Sequence, residues 1–235
     1  MMCWFGLFRS PETLTSDDEL AWLDRFLAAT PGLQKGLIFT PSTTSDPYLH
    51  DGAPPALGLQ LYFNEITTLE ATLAKDGHLQ SLVRRDALQG ADVTQQAMLV
   101  RRIPVPDPTF RTPLGELPCT YLVAYEGAAE ELNAWLAYYI SSHGPIMARF
   151  PGIRELEIYT RVDWCGFLPW PRVDHMQRNK VVFDSPAALT AALNSPVRHE
   201  MREDFARFPS FSGPNTHYPM LTRTVHAGRP ADTGD

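Results

Sequence analysis

A histidine near the end of an apolar helical segment is the first candidate for chemistry in this sequence. The segment is "YYISSHGPIMARFPGI", residues 138–153, and the histidine is His143. Histidine has an ordinary pKa near neutrality, so it can accept and donate protons in a reaction. We expect Gly144 and Pro145 to end the helix and to fix the imidazole at the mouth of a cavity. Alternatively, His143 only caps the helix by interacting with its last carbonyl groups.

A second candidate is the loop "RVDWCGFLPWPRVDHMQRN", residues 161–179, which is rich in aromatic residues and proline. Trp164 and Trp170 are predicted to form an apolar lid that recognises a flat aromatic ligand. Asp174 and His175 would then place an acid–base pair at its rim. The alternative is that the two tryptophans plug the end of a barrel.

Other polar side chains could hold the same ligand. Tyr159 and Arg161 lie two residues apart in a predicted strand and therefore share a face. Tyr139 lies on the predicted helix that carries His143, and His217 begins the last predicted strand. The predicted catalytic residues are His143, Asp174 and His175, and the predicted substrate-binding residues are Tyr139, Tyr159, Arg161, Trp164, Trp170 and His217.

No metal and no cofactor are predicted. The three cysteines, Cys3, Cys119 and Cys165, have no CxxC spacing, and no compact set of histidine and carboxylate ligands occurs. The sequence has no GxGxxG, Walker, GxSxG or CxxCH motif, which argues against nucleotide, flavin, α/β-hydrolase and c-type haem chemistry.

Composition restricts the partners. The 235 residues carry a formal net charge of −7, and no cluster of Lys and Arg is interleaved with aromatic residues, so no nucleic-acid partner is expected. The apolar runs are too short for a membrane span, and the N-terminus lacks the features of a signal peptide. We therefore expect a cytoplasmic protein without a membrane partner.

The two halves of the chain repeat one pattern. "ATPGLQKGLIFTP" (29–41) matches "RFPGIRELEIYTR" (149–161), and "LQLYFNEITTLEATL" (59–73) matches "NKVVFDSPAALTAAL" (179–193). Each half is predicted as strand, helix, strand, strand, helix, strand, which folds as a four-stranded ferredoxin-like sheet with both helices on one face. The predicted boundaries are 1–104 for the first repeat, 105–117 for a Pro-rich linker, 118–226 for the second repeat and 227–235 for a disordered tail.

The second half resembles the EthD family of the dimeric α+β barrel superfamily. The resemblance rests on "HGPIMARFPGI", "VVFDSPAALTAAL" and "HEMREDFARFPSF". The first half matches only in outline, with Leu23 at the place of His143. The resemblance implies an α+β fold in which two tandem units pack as an intramolecular dimeric α+β barrel, with a ligand cavity between each sheet and its helices. The superfamily includes lyases, cyclases, dehydratases, monooxygenases and haem-binding members.

The predicted function is a cofactor-independent lyase, dehydratase or cyclase. His143, helped by Asp174 or His175, would move a proton on a small hydrophobic, aromatic substrate. Two alternatives remain open: a cofactor-free or haem-dependent oxygenase with His143 as base or axial ligand, and a non-catalytic protein that binds a hydrophobic ligand. Whether two copies of the chain form a homodimer is also left open.

Overall fold

Eight antiparallel strands form one closed barrel in this computed structural model, which describes residues 1–9 and 16–228. Most of the predicted C-terminal tail, residues 229–235, lies outside the described residues. The strands are β1 (Met2–Arg9), β2 (Lys35–Pro41), β3 (Leu57–Phe63), β4 (Asp92–Ile103), β5 (Cys119–Tyr125), β6 (Ile153–Arg161), β7 (Gln177–Phe183) and β8 (Asn215–Val225). The predicted α+β barrel fold is confirmed by this closed sheet and the helices around it.

The strands follow the order β1-β3-β2-β8-β5-β7-β6-β4 around the barrel. Each half of the chain therefore contributes four adjacent strands in the same relative order, β4-β1-β3-β2 and β8-β5-β7-β6. The halves join edge to edge through β2–β8 and β4–β6 pairs, such as Gly36 with Val225 and Met98 with Arg161. The two four-stranded sheets thus form one continuous barrel, and this closure satisfies the backbone groups of the strand edges.

Helices cover the outside of the barrel. They are α1 (Asp17–Ala28), α2 (Ile66–Leu73), α3 (Gln80–Val83), α4 (Leu132–Tyr138), α5 (Gly144–Met147), α6 (Pro186–Leu193) and α7 (Pro196–Phe205). α1 begins directly after Ser16, whose hydroxyl accepts a hydrogen bond from the Glu19 amide. None of the helices in the described residues is long and apolar enough to cross a membrane.

The barrel interior combines apolar side chains with a buried ion pair. Lys180 and Glu157 approach to 3.2 Å, and the hydroxyl groups of Tyr62 and Tyr159 donate to Glu157 at 2.5 and 2.7 Å. Burial opposes ionisation of Glu157, but Lys180 and then Lys35 outweigh it and lower the pKa of this carboxyl. Lys180 and Glu157 therefore pair with each other inside the barrel, and the two tyrosines supply further hydrogen bonds to the carboxylate.

Two long loops cross from one half of the chain to the other. The loop between β2 and β3, residues 42–56, lies against the second half, where Asp46 accepts hydrogen bonds from Tyr121 and Arg198. The loop between β6 and β7, residues 162–176, lies against the first half and places Leu168 in that half's apolar core. The crossing loops therefore close the outer face of the opposite half.

Candidate functional site

A cavity of about 320 Å³ lies between the second-half sheet and its helices. Its walls are largely apolar, with Val123 and Val181 from the strands and Met147 and Leu193 from the helices. Tyr48, on the crossing loop from the first half, lines it as well. A cavity of this size and character is typical of small-molecule sites.

The helix that carries His143 does not end at Gly144. A π-helical turn, Tyr139–His143, connects α4 to α5 without a break, so the predicted stop at Gly-Pro is wrong. Proline lacks an N–H group and its ring clashes with the carbonyl four residues earlier, and the wider π turn accommodates both effects. As a result, Tyr139 and His143 both line the cavity, and His143 is 4% exposed.

His143 is held by a buried carboxylate. Its Nδ1 atom lies 2.8 Å from Oδ2 of Asp204, which is fully buried on α7. The other carboxylate oxygen of Asp204 accepts hydrogen bonds from the hydroxyl groups of Tyr138 and Ser142, both at 2.8 Å. Three donors from one helix thus converge on one carboxylate.

These contacts fix the protonation states of the pair. Burial raises the pKa of Asp204, but hydrogen bonds from Ser142, His143 and Tyr138 outweigh it and lower the pKa. Burial lowers the pKa of His143 to about 4, although Asp204 opposes this change. At neutral pH the arrangement is therefore an ionised Asp204 that accepts a hydrogen bond from Nδ1–H of a neutral imidazole, a tautomer assigned from the hydrogen bonds.

The second ring nitrogen of His143 is available for chemistry. Among the described residues, Nε2 has no hydrogen-bond partner, and His143 lines the cavity. The rings of Tyr139 and Phe208 flank the imidazole at centroid distances of 4.9 and 4.7 Å. A neutral imidazole held in this way can accept a proton from a ligand in the cavity.

A second histidine–carboxylate pair borders the same cavity. Nδ1 of His217 lies 2.9 Å from Oδ2 of Asp51, and the same oxygen accepts the His217 backbone N–H at 2.8 Å. The side-chain hydrogen bond from His217 is the main cause of a lowered pKa for Asp51, and burial opposes it. Because Asp51 lies in the loop 42–56, both halves of the chain contribute to the site.

Three of the residues predicted to share a site line the cavity: Tyr139, His143 and His217. Tyr159 instead faces the barrel interior, because residues alternate sides along β6 and the even-numbered Ile158 packs under the helices. Arg161 and Asp174 form an exposed ion pair with a 2.7 Å contact at the end of that strand. Their predicted place beside His143 is corrected.

The aromatic loop lies over the other half of the molecule. Trp170 packs against Trp4 and Phe8 at centroid distances of 6.4 and 5.3 Å. Trp164 packs against the same first-half core and stacks under the Arg172 guanidinium, 3.8 Å from its ring centre. The predicted lid over the His143 cavity is corrected, because the loop crosses to the first half and packs against the outer, helix-covered face of its sheet.

His175 lines a separate, smaller cavity at one end of the barrel. Burial, followed by the charges of Arg178 and Arg9, lowers its pKa to about 3. His175 therefore lies apart from Asp174, which is exposed. The predicted acid–base pair of these two residues is not formed.

Two carboxylates of the site carry no role in the sequence-based prediction. Asp204 lies in the quoted "HEMREDFARFPSF" segment, and Asp51 follows His50 in a loop. A signal for Asp204 was present, since Tyr138, Ser142 and His143 place three polar groups on one face of an otherwise apolar helix. Asp51 had no such signal, because it reaches the site only through the crossing loop.

Solved structures share this fold across nearly the whole chain. An anthrone oxidase-like protein matches with a TM-score of 0.62 and 12% identity, covering 99% of this chain and 96% of its own. A provisionally assigned monooxygenase from Lactobacillus acidophilus matches with a TM-score of 0.55, 12% identity and coverage of 97% and 96%. A variant chlorite dismutase from Candidatus Nitrospira defluvii matches with a TM-score of 0.50, 10% identity and coverage of 93% and 90%.

These likenesses establish the dimeric α+β barrel fold for the chain. No protein-family model and no curated protein matches its sequence. The predicted lyase, dehydratase or cyclase is corrected, because the similar structures carry the names of oxygenases and oxidoreductases and agree with the alternative of an oxygenase.

The described residues contain no group of three or more His, Cys, Asp or Glu side chains placed to hold a metal ion. The cavity also fits a haem poorly. Its volume of about 320 Å³ lies at the lower limit for drug-sized ligands, a smaller class than a porphyrin. The rings of Tyr139 and Phe208 also lie against the imidazole, at centroid distances of 4.9 and 4.7 Å.

Proposed function

We propose that this protein is an oxygenase that acts without a bound cofactor on a small, apolar, aromatic substrate. The observation that carries the proposal is the neutral His143, oriented by Asp204, with Nε2 toward a largely apolar cavity. The names of the similar structures support the reaction class. The substrate class follows from the aromatic and aliphatic walls, which favour a flat apolar molecule.

The reaction begins with proton transfer to His143. Nε2 removes a proton from an acidic C–H group of the substrate, such as the methylene group of an anthrone, and leaves a delocalised anion. The Arg198 guanidinium, which also lines the cavity, stabilises the negative charge. The Asp204 carboxylate stabilises the imidazolium that forms.

Molecular oxygen is the second substrate and the oxidant. Electron transfer from the anion to O₂ and recombination form a C–O bond, and His143 returns its proton to give a hydroperoxide. Loss of water then converts the carbon to a ketone, so that the methylene compound and O₂ give the ketone and H₂O. His143 removes the second proton of that carbon as the O–O bond breaks, and this proton then protonates the departing hydroxide.

The experiment is oxygen uptake by the purified protein with anthrone as the probe substrate and without added cofactor. We expect turnover, no haem or flavin absorption, and a loss of about two to four orders of magnitude in His143→Ala. The matched control is His226→Ala, which removes an exposed histidine and should leave turnover unchanged. Equal turnover in His143→Ala and the control, or activity that requires added haem, would overturn the proposal.

We also propose that the halves are tandem ferredoxin-like units and that the second belongs with the EthD family. The common strand order of the halves supports the first statement, and the His143-x-Pro145 and Phe183-Asp184-Ser185-Pro186 segments support the second. Superposition of residues 118–226 from a crystal structure on EthD domains, helix for helix, tests the assignment.

A further inference from the structure

A second cavity, of about 180 Å³, opens at one end of the barrel. All neighbouring strands are antiparallel, and β1 and β5 are four places apart, so they run in the same direction and end at this opening. Phe5 and Leu122 provide apolar walls from these two strands. Pro55 and Val173 come from the two crossing loops. The cavity lies inside the barrel, whereas the His143 cavity lies outside it under the helices.

This cavity contains a buried guanidinium with few partners. Arg178 is 7% exposed, and its Nε atom donates to Gln96 at 3.1 Å while its guanidinium lies over the Phe5 ring. Among residues 1–9 and 16–228, no carboxylate forms an ion pair with Arg178, and its terminal N–H groups have no hydrogen-bond acceptor. Burying a charge without a partner is costly, and burial lowers the pKa of Arg178 to about 10.

The fold does not need a charge at this place. Arg178 on β7 pairs with Ala124 on β5. The equivalent pair in the first half is Gly58 on β3 with Leu7 on β1, so Gly58 corresponds to Arg178. In the first half, the Phe39 ring lies beside Gly58, where an added Cβ would meet it at 3.1 Å. One half therefore fills this barrel position with an apolar ring, and the other half places a guanidinium there.

The remaining polar groups favour an anion with a single charge. Arg9 lines the cavity and donates to the Tyr218 hydroxyl at 3.3 Å, and Glu126 lines it with the opposite charge. Two arginines and one glutamate leave one uncompensated positive charge. His175 adds none, because burial, then Arg178 and Arg9, lower its pKa to about 3, and its Nδ1 atom is buried without a partner.

We propose that the cavity at the barrel end binds a small monocarboxylate, whose carboxylate pairs with Arg178 and whose short carbon chain contacts Phe5 and Leu122. A guanidinium binds a carboxylate through two parallel hydrogen bonds, which a compact ammonium group cannot reproduce. The site is separate from the oxygenase cavity and does not depend on its function.

Calorimetric titration of the whole protein with butyrate tests the proposal. We expect a dissociation constant of about 1 mM or lower and a rise of about tenfold or more in Arg178→Gln, with a smaller rise in Arg178→Lys. Arg161→Gln, which removes an exposed guanidinium that is already paired, is the matched control and should bind butyrate normally. Unchanged affinity in Arg178→Gln, no binding by the natural sequence, or equally tight binding of inorganic phosphate would overturn the proposal.

A measurement on the natural sequence covers the case in which Arg178→Gln fails to fold. Crystals soaked with a brominated butyrate should show anomalous bromine density beside Phe5 and Leu122 in the barrel-end cavity. Density only in the His143 cavity, or none at all, would contradict the site.

Discussion

The two halves of the chain build the same strand order but fill the space under their helices differently. In the first half, Trp4, Phe8 and Trp170 pack together where the sheet faces its helices. In the second half, the corresponding space is a cavity of about 320 Å³ with His143 at its edge. One half is therefore packed as a core, whereas the other keeps a cavity.

Matched positions show how small the sequence change is. Leu23, at the place of His143 in the repeat, is a buried apolar residue of the first-half core. Trp4 pairs with Leu61 in the first half, and Tyr121 pairs with Val181 at the equivalent place in the second half. A tryptophan that fills space in one half therefore corresponds to a tyrosine that borders the cavity in the other.

The last helix of each half, α3 in the first and α7 in the second, differs most between the two halves. α7 spans ten residues and carries Asp204, whereas α3, at the corresponding place in the first half, spans four. A buried histidine–carboxylate pair contributes less stability than an apolar core of equal volume. In a chain with two units, one half can carry the less stabilising histidine–carboxylate pair while the apolar core of the other half stabilises the common barrel.

The largest effect should come from Asp204→Asn, which removes the carboxylate found only in the second half. We expect turnover to fall by about two to four orders of magnitude, because an amide can hold the imidazole in the wrong tautomer. A changed pH profile of the residual activity identifies a positioning role, and rate measurements against pH provide it. Glu203→Gln, an exposed neighbour on the same helix, is the control. Equal losses in both variants would show that Asp204 does not position the base.

The next prediction concerns stability in acid. The pKa of His143 is about 4 in the folded protein and near 6.5 in the unfolded chain, so the unfolded state binds the proton first. The contribution of this pKa difference to the free energy of unfolding is therefore fully present above pH 6.5. It decreases by about 3 kcal/mol as the pH drops to 4. Urea denaturation across this range measures the fall.

His143→Leu installs the residue of the first half and tests the origin of that fall. Its free energy of unfolding should depend much less on pH between 6.5 and 4, whereas the exposed His226→Leu should behave like the natural sequence. The same slope in all three proteins would assign the acid sensitivity to other groups.

Trp170→Ala opens the packed half. Because Trp170 is half-buried against Trp4 and Phe8, we expect a loss of about 2 kcal/mol in unfolding free energy with turnover retained. Phe167→Ala, in the same loop but exposed, should change stability by less than about 0.5 kcal/mol. A collapse of turnover in Trp170→Ala would place this loop in the reaction after all.

The fold was accessible from sequence because its signals are local and occur twice. Pro31-Gly32 and Pro151-Gly152 mark the same turn before β2 and β6, and apolar periodicity identifies the strands and the helix faces. The closure of the sheets through β2–β8 and β4–β6 depends on pairing between halves, which periodicity does not encode.

The candidate site was accessible only in part. His143 could be selected because a polar side chain stands out in an apolar helix, but its partner Asp204 lies 61 residues further along the chain. Trp164 and Trp170 were assigned to the wrong half, because no local pattern reveals that a loop crosses to the other unit. The π turn at Tyr139–His143 likewise depends on how the chain absorbs Pro145.

The smallest effect on stability and turnover should come from weakening the contacts that hold one of the two crossing loops against the barrel. Loop 162–176 packs apolar side chains into the first-half core, whereas loop 42–56 is held by the buried polar contacts of Asp46 and, nearer its end, by the partly exposed pair of Asp51 and His217. Asp51→Asn keeps the shape and removes the charge, so we expect a loss of about 1 kcal/mol or less and a rise of a few-fold in KM. Hydrogen exchange should increase in residues 42–56.

Asp174→Asn is the matched control for this last comparison, because it removes the same charge from the other loop, where the Asp174 side chain is 80% exposed and paired with Arg161. An exposed pair contributes little, so stability, KM and exchange should stay as in the natural sequence. If Asp51→Asn raises KM and Asp174→Asn does not, the loop from the first half closes the cavity of the second through a charged contact. The same KM and the same hydrogen exchange in both variants would mean that the contact between Asp51 and His217 does not control access to the cavity.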